Sequence, residues 1–486
     1  MKFLSNIKVA LVALSVMAIS TGCEDFLDQE PTASVPVAST VDNTSGLRSI
    51  LNGTYRLMRV SDSEHDNTGL VSYNLVMDVM GQDLIISQNW YAWDNECDFG
   101  EANWRRTSTI WERHYKIINN ANIVLANVDA AEGTDDDKKI IKGEAAAIRA
   151  LAYFNLVRAY QHTYLVNPNA PAVPIYTVPA KKEDTGNPRA TVQAVYDRIN
   201  ADLKTALDNL VADRPLSIMN KGNINLNVAQ GIKARVLLEM GDYANAAAFA
   251  EKAATGYPLM SAEQYNTSGF NDMNNAEWIW AMPYAKDQNL GYASFFSFVD
   301  HKRAAGYKNV YVNDDFVTLF ADNDMRNTFV NNPKGADYEQ FYMRKFADKP
   351  DNSGDVVLMR AAEMMLIQAE SYARTESEEL AKDIIENLRK QRFSSTAASL
   401  RPITSGQALI DEILLERRKE LYGEGFALLD IKRCQLPLVR TGNHKYAGSL
   451  TANHPRFIFH IPQREIDAND NMTTADQNPS FGAYPW

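Results

Sequence analysis

Apolar residues recur every three or four positions along two long stretches in the first half of the chain, Trp111–Val128 and Lys138–Tyr160. This spacing places them on one face of an α-helix and predicts two core helices. The second stretch has no proline and no glycine after Gly143, so nothing interrupts its pattern. Four prolines in Asn167–Pro179 then end the pattern and predict a surface connection or an edge segment.

Two further segments have the pattern of a helix pair. In Ala229–Pro258 the pattern breaks at Gly241 and Asp242, where Gly can adopt a positive φ to end one helix and Asp can cap the next. A second pair is predicted in Val356–Arg392. The first segment also carries residues typical of a tetratricopeptide (TPR) unit, namely Ala234, Gly241, Tyr243, Ala246, Ala253 and Pro258, although Ala250 stands where a large aromatic is common. Because the pairs are not in tandem, we expect a mostly α-helical domain with TPR-like pairs rather than a regular solenoid.

Two other stretches, Val60–Arg106 and Tyr265–Pro350, show little periodicity and are rich in Asn, Asp, Gly and aromatic residues. Long irregular segments in a compact domain are usually functional or disordered, and abundant aromatics argue against disorder. Alternation at Trp278 and Trp280 predicts a short strand with both rings on one face, and we expect these two rings to lie in the core.

The aromatic residues of these stretches stand among amides and carboxylates, a combination that suits a sugar ligand. The flat apolar face of a pyranose stacks on an aromatic ring, while amides or acids bond its hydroxyls. Core packing is the commoner role of any single ring, but we expect at least two of them to contact a ligand. The candidates are Trp90, Trp93 and Tyr284 for stacking, with Asn89, Asp94 and Gln288 for polar contacts.

Motifs for catalysis and cofactors are missing from the sequence. It has no G-x-S-x-G, H-E-x-x-H, P-loop or G-x-G-x-x-G pattern, so we expect no catalytic residue, cofactor or metal. The segment Asp467–Met472 begins like a calcium loop, but Met472 and Asn478 stand where that loop needs Gly and a bidentate Glu, which favours a polar turn.

The segment Asp411–Cys434 begins as an amphipathic helix, which Gly423 and Gly425 are expected to end. Its charged residues predict a structural network with pairs three or four positions apart, formed by Glu416, Arg417, Arg418 and Glu420.

The start of the chain is typical of an export signal, with a basic beginning, the apolar run Val9–Ile19 and small residues before Cys23. The run is shorter than the ~20 residues of a membrane-spanning helix. A cysteine at this point is where a bacterial lipoprotein signal is cut, so we predict removal of residues 1–22 and lipid attachment at Cys23. Ordinary secretory cleavage is the alternative, and Ser20 departs from the usual aliphatic residue. Polar residues 23–45 predict an extended arm, and residues 46–486 a single domain.

Net charge argues against two classes of partner, and cysteine content argues against a fold held by disulfides. The formal net charge is −12 and basic residues do not cluster, which argues against nucleic acid and against electrostatic adhesion to anionic lipid. Besides Cys23, only Cys97 and Cys434 are present, too few for a disulfide framework, although one bridge between them is an open alternative.

Several pieces of the chain, in this order, resemble the SusD/RagB family, the surface glycan-binding lipoproteins of Bacteroidota. The first pieces are "CEDFLDQEPT" and the helical pattern with Gly143, Glu144, Arg149, Ala150, Tyr153 and Phe154. The third is the run with Glu416, Arg417, Glu420, Leu421, Glu424, Gly425, Asp430 and Arg433. The last is the closing pattern with Ile461, Pro462, Glu465, Asn469, Gln477, Asn478 and Pro479. Two residues depart from the family pattern: Ala427 stands where Arg is common, and Cys434 where Trp usually follows Arg433.

The resemblance implies one α-helical domain in which four TPR-like helix pairs support an irregular ligand lobe. We expect the helical parts at about 110–260 and 355–435, and the loop-rich lobe at about 60–106 and 265–350. It also implies an outer-membrane, surface-exposed location and a partner, a SusC-like TonB-dependent transporter, over which the lipoprotein sits as a lid. The expected function is capture of oligosaccharides without catalysis. Oligopeptide cargo, a surface glycan hydrolase and a TPR interaction scaffold are the alternatives.

Overall fold

The two long periodic stretches form helices, as predicted, in a computed structural model that describes residues 40–61, 64–98, 102–211, 221–267, 269–394 and 400–480. The first helix spans Arg105–Asn127 and the second Asp135–Tyr160, so each begins a few residues before its predicted start. The second begins early because the Thr134 hydroxyl accepts the Asp137 backbone N–H, and three aspartates occupy its first turn.

The chain as described is mostly α-helical, and the helices are numbered here in chain order. Their bounds are α1 Thr44–Leu57, α2 Gly69–Val79, α3 Ala92–Glu96, α4 Arg105–Asn127, α5 Asp135–Tyr160, α6 Val192–Asn209, α7 Leu226–Met240, α8 Tyr243–Ala254, α9 Ala262–Thr267, α10 Phe295–Val299, α11 Asp314–Val317, α12 Ala361–Arg374, α13 Glu378–Lys390, α14 Gly406–Leu421, α15 Ala427–Arg433 and α16 Gln463–Ala468. Neighbours pack in sequence, α4 on α5, α5 on α6 and α7 on α8, while α8 also packs on α12. The TPR-like pairing expected from the sequence is therefore present in the fold.

The predicted junction between α7 and α8 is confirmed. Gly241 ends α7 in the left-handed conformation at φ 76°, which carries no Cβ penalty for glycine. The Asp242 side chain accepts the Asn245 backbone N–H and so caps α8. Ala246 and Ala253 are fully buried, consistent with close approach of the paired helices.

The prediction of an irregular Val60–Arg106 stretch is wrong for α2. Ten of its eleven residues are buried, so no polar face marks a helical period in its sequence. The helix predicted at the start of the segment Asp411–Cys434 is α14. It ends at Leu421, as predicted, ahead of Gly423 and Gly425, which are both at positive φ.

The strands are short and all their pairings are antiparallel. They are β1 Leu84–Ile86, β2 Trp278–Met282, β3 Val310–Val312, β4 Val330–Asn331, β5 Phe341–Tyr342, β6 Val356–Arg360, β7 Leu438–Arg440 and β8 Gly448–Leu450. They form a sheet ordered β1-β3-β5-β4 and the pairs β2-β6 and β7-β8. Because Ile85 lies opposite Tyr311 in this register, β1 and β3 join the two stretches rich in aromatic residues.

The core confirms the expectation for two of the tryptophans. Trp278 and Trp280 lie in the predicted strand β2 and are 0% and 2% exposed. Every residue of β2 is buried, so the alternation in its sequence does not separate a buried face from an exposed one.

A buried charge cluster beneath α14 corrects the predicted pairing of its charged residues. Instead of pairing along the helix, Glu416 pairs with Arg326, Arg418 with Asp83 and Glu420 with Arg360. The cluster consists of Glu277, Arg326, Arg360, Arg392, Glu416, Glu420 and Glu424. The expectation of a structural network holds, but the network ties α14 to other elements.

The closing pattern of the sequence fastens the end of the chain to the helices. The Asn478 side-chain amide donates to the Tyr160 and Phe459 carbonyl oxygens at 2.7 Å each. The Asn469 amide donates to Asn187, and Asn471 to Gly186, so Asp467–Met472 acts as a hydrogen-bonded polar turn.

Cys97 and Cys434 are free thiols, so the alternative of a bridge between them is not realised. The predicted signal segment, Cys23 and the arm up to residue 39 lie outside the described residues. In the part of the chain that the structure describes, no helix combines the length and the apolarity that crossing a membrane requires.

Candidate functional site

A tight bend between β1 and α3 carries Trp90, and α3 itself carries Trp93; both tryptophans reach the surface. Asn89 and Tyr91 adopt left-handed conformations, at φ 57° and 67°. Asn tolerates this conformation, whereas Tyr is strained in it and must be held by its surroundings. The Tyr91 hydroxyl donates to the Ser72 hydroxyl, and Arg106 lies 5.1 Å from the centre of the Tyr91 ring. The bend is therefore fixed from beneath by buried contacts.

This bend borders a surface cavity of about 660 Å³. The lining residues come from the connection before α2, the bend, α3 and the start of α4: Asp66, Asn89, Trp90, Tyr91, Ala92, Trp93, Asp94, Glu96, Trp104, Arg105 and Arg106. Four of the six predicted site residues thus lie around one cavity, Asn89, Trp90, Trp93 and Asp94. The volume falls within the usual range of pockets for small ligands.

Two tryptophans form the outer wall of the cavity. Trp93 is 51% exposed, and its ring meets that of Trp104 edge to face at 5.2 Å and 62°. The contact restricts the movement of both rings, and part of the apolar ring surface stays in contact with water.

A second group of rings continues from Trp90. The Trp90 ring lies 5.4 Å from that of His65 and 5.8 Å from that of Tyr307. Tyr292 is 48% exposed and stacks on His65 at 6.3 Å and 16°. We call the six rings His65, Trp90, Trp93, Trp104, Tyr292 and Tyr307 the aromatic surface.

Ion pairs hold the inner wall of the cavity. Arg106 donates to both oxygens of Asp94 at 3.0 Å and to Asp66 at 2.7 Å, and Arg105 also pairs with Asp66. Although burial acts to raise it, Arg106 and Arg105 lower the pKa of Asp66 overall. Burial raises the pKa of Asp94, with Arg106 opposing that effect. Both oxygens of Asp94 are therefore engaged with Arg106.

The other two predicted residues, Tyr284 and Gln288, lie apart from this cavity. The Tyr284 hydroxyl donates to the Arg59 carbonyl oxygen at 3.1 Å, and burial raises the pKa of this phenol. Gln288 is exposed in the 3₁₀ turn Lys286–Gln288. The structure does not bring either residue together with Trp90 and Trp93.

Sequence reasoning did not select His65, Trp104, Arg105, Tyr292 or Tyr307. Trp104 lies in an irregular stretch near Trp93 in sequence, so the same aromatic argument could have found it. The contact of His65 with Tyr307 joins positions 242 residues apart and has no local signal. Among the described residues, no group of three or more His, Cys, Asp or Glu side chains is arranged to hold a metal ion.

The fold and the cavity together define a class of protein: a TPR-like helical frame that carries loop-borne aromatic rings around an open cavity. Residues 25–238 match a family model described as "Starch-binding associating with outer membrane", a SusD-like family, and residues 322–481 match the SusD family model, SusD_RagB. The chain belongs to the SusD/RagB family.

Solved structures and curated relatives agree with this assignment. A SusD-like carbohydrate binding protein from Bacteroides vulgatus ATCC 8482 is 28% identical with a TM-score of 0.79, covering 90% of this chain and 98% of that one. A SusD superfamily protein from Bacteroides thetaiotaomicron VPI-5482 is 25% identical with a TM-score of 0.78, covering 90% and 100%. SusD-like protein P25 from Formosa agariphila is 22% identical, covering 93% and 95%.

Proposed function

We propose that this protein captures oligosaccharides at the cell surface and delivers them to a SusC-like TonB-dependent transporter of the outer membrane. The observation that carries the proposal is the cavity of about 660 Å³ beside the exposed ring of Trp93. The matching family model is described by starch binding, and one structural neighbour is a carbohydrate binding protein; both support the choice of ligand.

Trp90 and Trp93 provide ring faces for a sugar, and exposed Asn89 provides an amide for its hydroxyls. Burying ring surface against an apolar sugar face stabilises the complex without requiring a charge on the ligand. Because the bend is already held by Tyr91 and Arg106, little ordering is needed on binding. Open access and stacking contacts favour an affinity low enough for release to a partner.

The proposal includes no catalysis, which the engagement of the two buried carboxylates supports. A glycosidase needs one carboxylic acid free to protonate the leaving group and a second carboxylate free to act on the sugar or on water. Asp66 and Asp94 instead both accept from Arg106, and Asp94 does so through both oxygens. Turnover of any glycan by the purified protein would contradict this part of the proposal.

The sharpest test is Trp93→Ala in affinity electrophoresis and calorimetry against a panel of polysaccharides and oligosaccharides. We expect affinity for the bound glycan to fall at least about tenfold, since burying one large apolar side chain is worth roughly 1.5–3 kcal/mol and about 1.4 kcal/mol is a tenfold change in affinity. Leu380→Ala is the matched control because Leu380 is an apolar side chain on α13 that is also 51% exposed. Its affinity should equal that of the wild type. Unchanged affinity in Trp93→Ala would overturn the site, and binding of peptides but no glycan would overturn the ligand.

Attachment at the membrane rests on Cys23, which lies outside the described residues. We propose that its lipid anchors the protein and that the residues between Cys23 and the start of α1 form the arm between anchor and body. The predicted arm reached residue 45, but α1 already begins at Thr44, with Asn43 as its cap. Cys23→Ala should move the protein from the membrane fraction to the soluble fraction, whereas Cys97→Ala should leave it attached. A Cys23→Ala chain that stayed with the membrane would contradict the anchor.

A further inference from the structure

A small cavity of about 20 Å³ lies where α2, α5, α7 and the start of α15 meet. Two arginines line it, Arg158 of α5 and Arg235 of α7, together with Asn74 of α2 and Glu424. None of its lining residues belongs to the aromatic surface or to the cavity beside Trp93. Since one water needs at least ~10–15 Å³, the occupant of this space is a single particle of about the size of a water molecule.

Arg158 is a buried cation whose direct contacts are neutral. It is 9% exposed, its Nε donates to the Phe154 carbonyl oxygen at 3.2 Å, and its Nη2 donates to the Asn155 side chain at 2.8 Å. Its guanidinium lies 3.8 Å from the centre of the Phe154 ring. Among the described residues, no carboxylate lies within ion-pair distance of it. Buried arginines are almost always paired, because a charge without a partner away from water costs free energy.

The titratable groups around Arg158 do not supply the missing negative charge. Burial raises the pKa of Tyr73 to about 12 and lowers the pKa of His114 to about 4, so both side chains are neutral at pH 7. The buried carboxylate of Glu239 acts on a second buried group, the amine of Lys432, and raises its pKa against the effect of burial. Glu239 is therefore not a partner of Arg158 alone.

The second arginine has an unused donor, and the carboxylate in the wall is fully engaged. Arg235 pairs with Glu363 through Nε and Nη2 at 2.6 Å each, while its Nη1 donates to no described residue and is reachable by a water-sized molecule. Glu424 accepts from Arg360 through both oxygens and from Lys345. The wall thus offers two guanidinium groups and one carboxylate without a free oxygen, and the best complement of this arrangement is an anion.

We propose that this cavity binds a single small anion, chloride, which contacts Arg158 and Arg235 and takes the Asn74 amide as a third donor. A monatomic anion matches the space, whereas phosphate, sulfate or a carboxylate has several non-hydrogen atoms and does not fit it. The ion gives Arg158 the negative charge that its protein contacts lack, and it links α2, α5 and α7. A water molecule would fill the same space but would leave Arg158 without a counter-charge. The site is separate from the one proposed for sugars.

The direct test is diffraction from crystals of the full chain, exported with Cys23→Ala, in which bromide replaces chloride. Bromide scatters anomalously, so its position is seen without assuming the identity of the occupant. We expect one anomalous peak in this cavity, in contact with Arg158. Density for water without an anomalous peak would overturn the proposal.

Melting of the same protein in solution tests whether the ion stabilises the fold. When chloride replaces gluconate, an anion too large for the cavity, at equal ionic strength, we expect the melting temperature to rise by roughly 2 °C, because the ion binds only the folded chain. Arg158→Met removes the charge and keeps a long side chain, and it should abolish this shift. Asn74→Asp should also abolish it, because it places a carboxylate in the wall, and it replaces Arg158→Met if that variant does not fold.

Two controls separate this site from general salt effects and from sugar binding. Arg464→Met removes an arginine side chain that is 84% exposed and should keep the full chloride shift. Trp93→Ala, on the aromatic surface, should also keep it, so failure of the sugar site and failure of this site are distinguishable. Equal shifts in Arg158→Met and Arg464→Met would overturn the site. A bromide peak without any chloride-dependent shift would show an adventitious ion only and would overturn the proposal as well.

Discussion

The charge cluster beneath α14 and the aromatic surface differ in the exposure of their side chains and in what those side chains do. In the cluster, the side chains of Arg326, Arg360 and Arg392 have no solvent exposure, and each pairs with Glu420. At the aromatic surface, the Arg105 side chain is 36% exposed and Trp93 is half exposed. The cluster directs its polar groups inward and fixes the frame, whereas the surface leaves apolar rings in water. The comparison teaches that the charged residues around Glu420 hold the frame together, whereas the surface proposed for sugar binding lies on the loops.

The largest expected effect comes from breaking the cluster. Glu420→Gln removes the carboxylate that three buried arginines share, and we expect the free energy of unfolding to fall by ~3–5 kcal/mol because those charges stay buried without it. Urea unfolding measures the change. Asp208→Asn is the control, because it removes an exposed pair with Lys204 and should cost under ~0.5 kcal/mol. A loss below ~1 kcal/mol in Glu420→Gln would contradict a structural role for the cluster.

The next effect concerns stability in acid and arises at another buried carboxylate, Glu370 of α12. Burial acts to raise its pKa, but Arg433 and Arg374 lower the pKa of Glu370 to about 2, from an ordinary value of 4.5. The unfolded chain therefore binds a proton more readily than the folded one, so the pairing stabilises fully above about pH 4.5. This contribution, about 3 kcal/mol, is lost as the pH falls toward 2.

Urea unfolding of the wild type and Glu370→Gln at several pH values checks this expectation. The difference in unfolding free energy between them should be largest near pH 6 and should shrink by about 3 kcal/mol on acidification to pH 2. Glu251→Gln, at an exposed carboxylate of α8, should follow the wild-type curve. Parallel curves for wild type and Glu370→Gln would contradict the pairing with Arg433.

The fold was predictable where local pattern and burial agree. The apolar periodicity of α4 and α8 and the uninterrupted length of α5 mark helices in the sequence, and the junction between α7 and α8 at Gly241 has its own cap signals. The helix α2 is buried on nearly all sides, as most of α5 is, but it has only 11 residues and no side-chain cap at its start, so neither length nor a start signal marks it in the sequence. The ion-pair partners of Glu420 in α14 were also not predictable, because Arg326, Arg360 and Arg392 are distant from it in sequence and meet it only in the folded chain.

The site was predictable to the extent that its residues are neighbours in sequence. Asn89, Trp90, Trp93 and Asp94 line one cavity because a single bend and a short helix carry them. Tyr284 stands in a stretch of sequence that is equally rich in aromatic and polar residues, but it lies elsewhere in the structure. The composition of a stretch does not reveal where it folds. The rings of His65 and Tyr307 join Trp90 through chain segments brought together by β1 and β3.

The smallest expected effect lies at Trp104. Its ring meets that of Trp93 edge to face, and Trp93, not Trp104, is the ring predicted to stack on the sugar. Trp104→Ala should weaken glycan affinity by only about two- to tenfold, since an aromatic pair contributes ~0.5–1.5 kcal/mol to the placement of the ring it holds. Titration calorimetry measures this change, with Trp104→Phe as the control that retains an aromatic partner and should keep most of the affinity. If Trp104→Ala lost as much affinity as Trp93→Ala, Trp104 would contact the sugar directly, and the distinction between binding ring and supporting ring would fail.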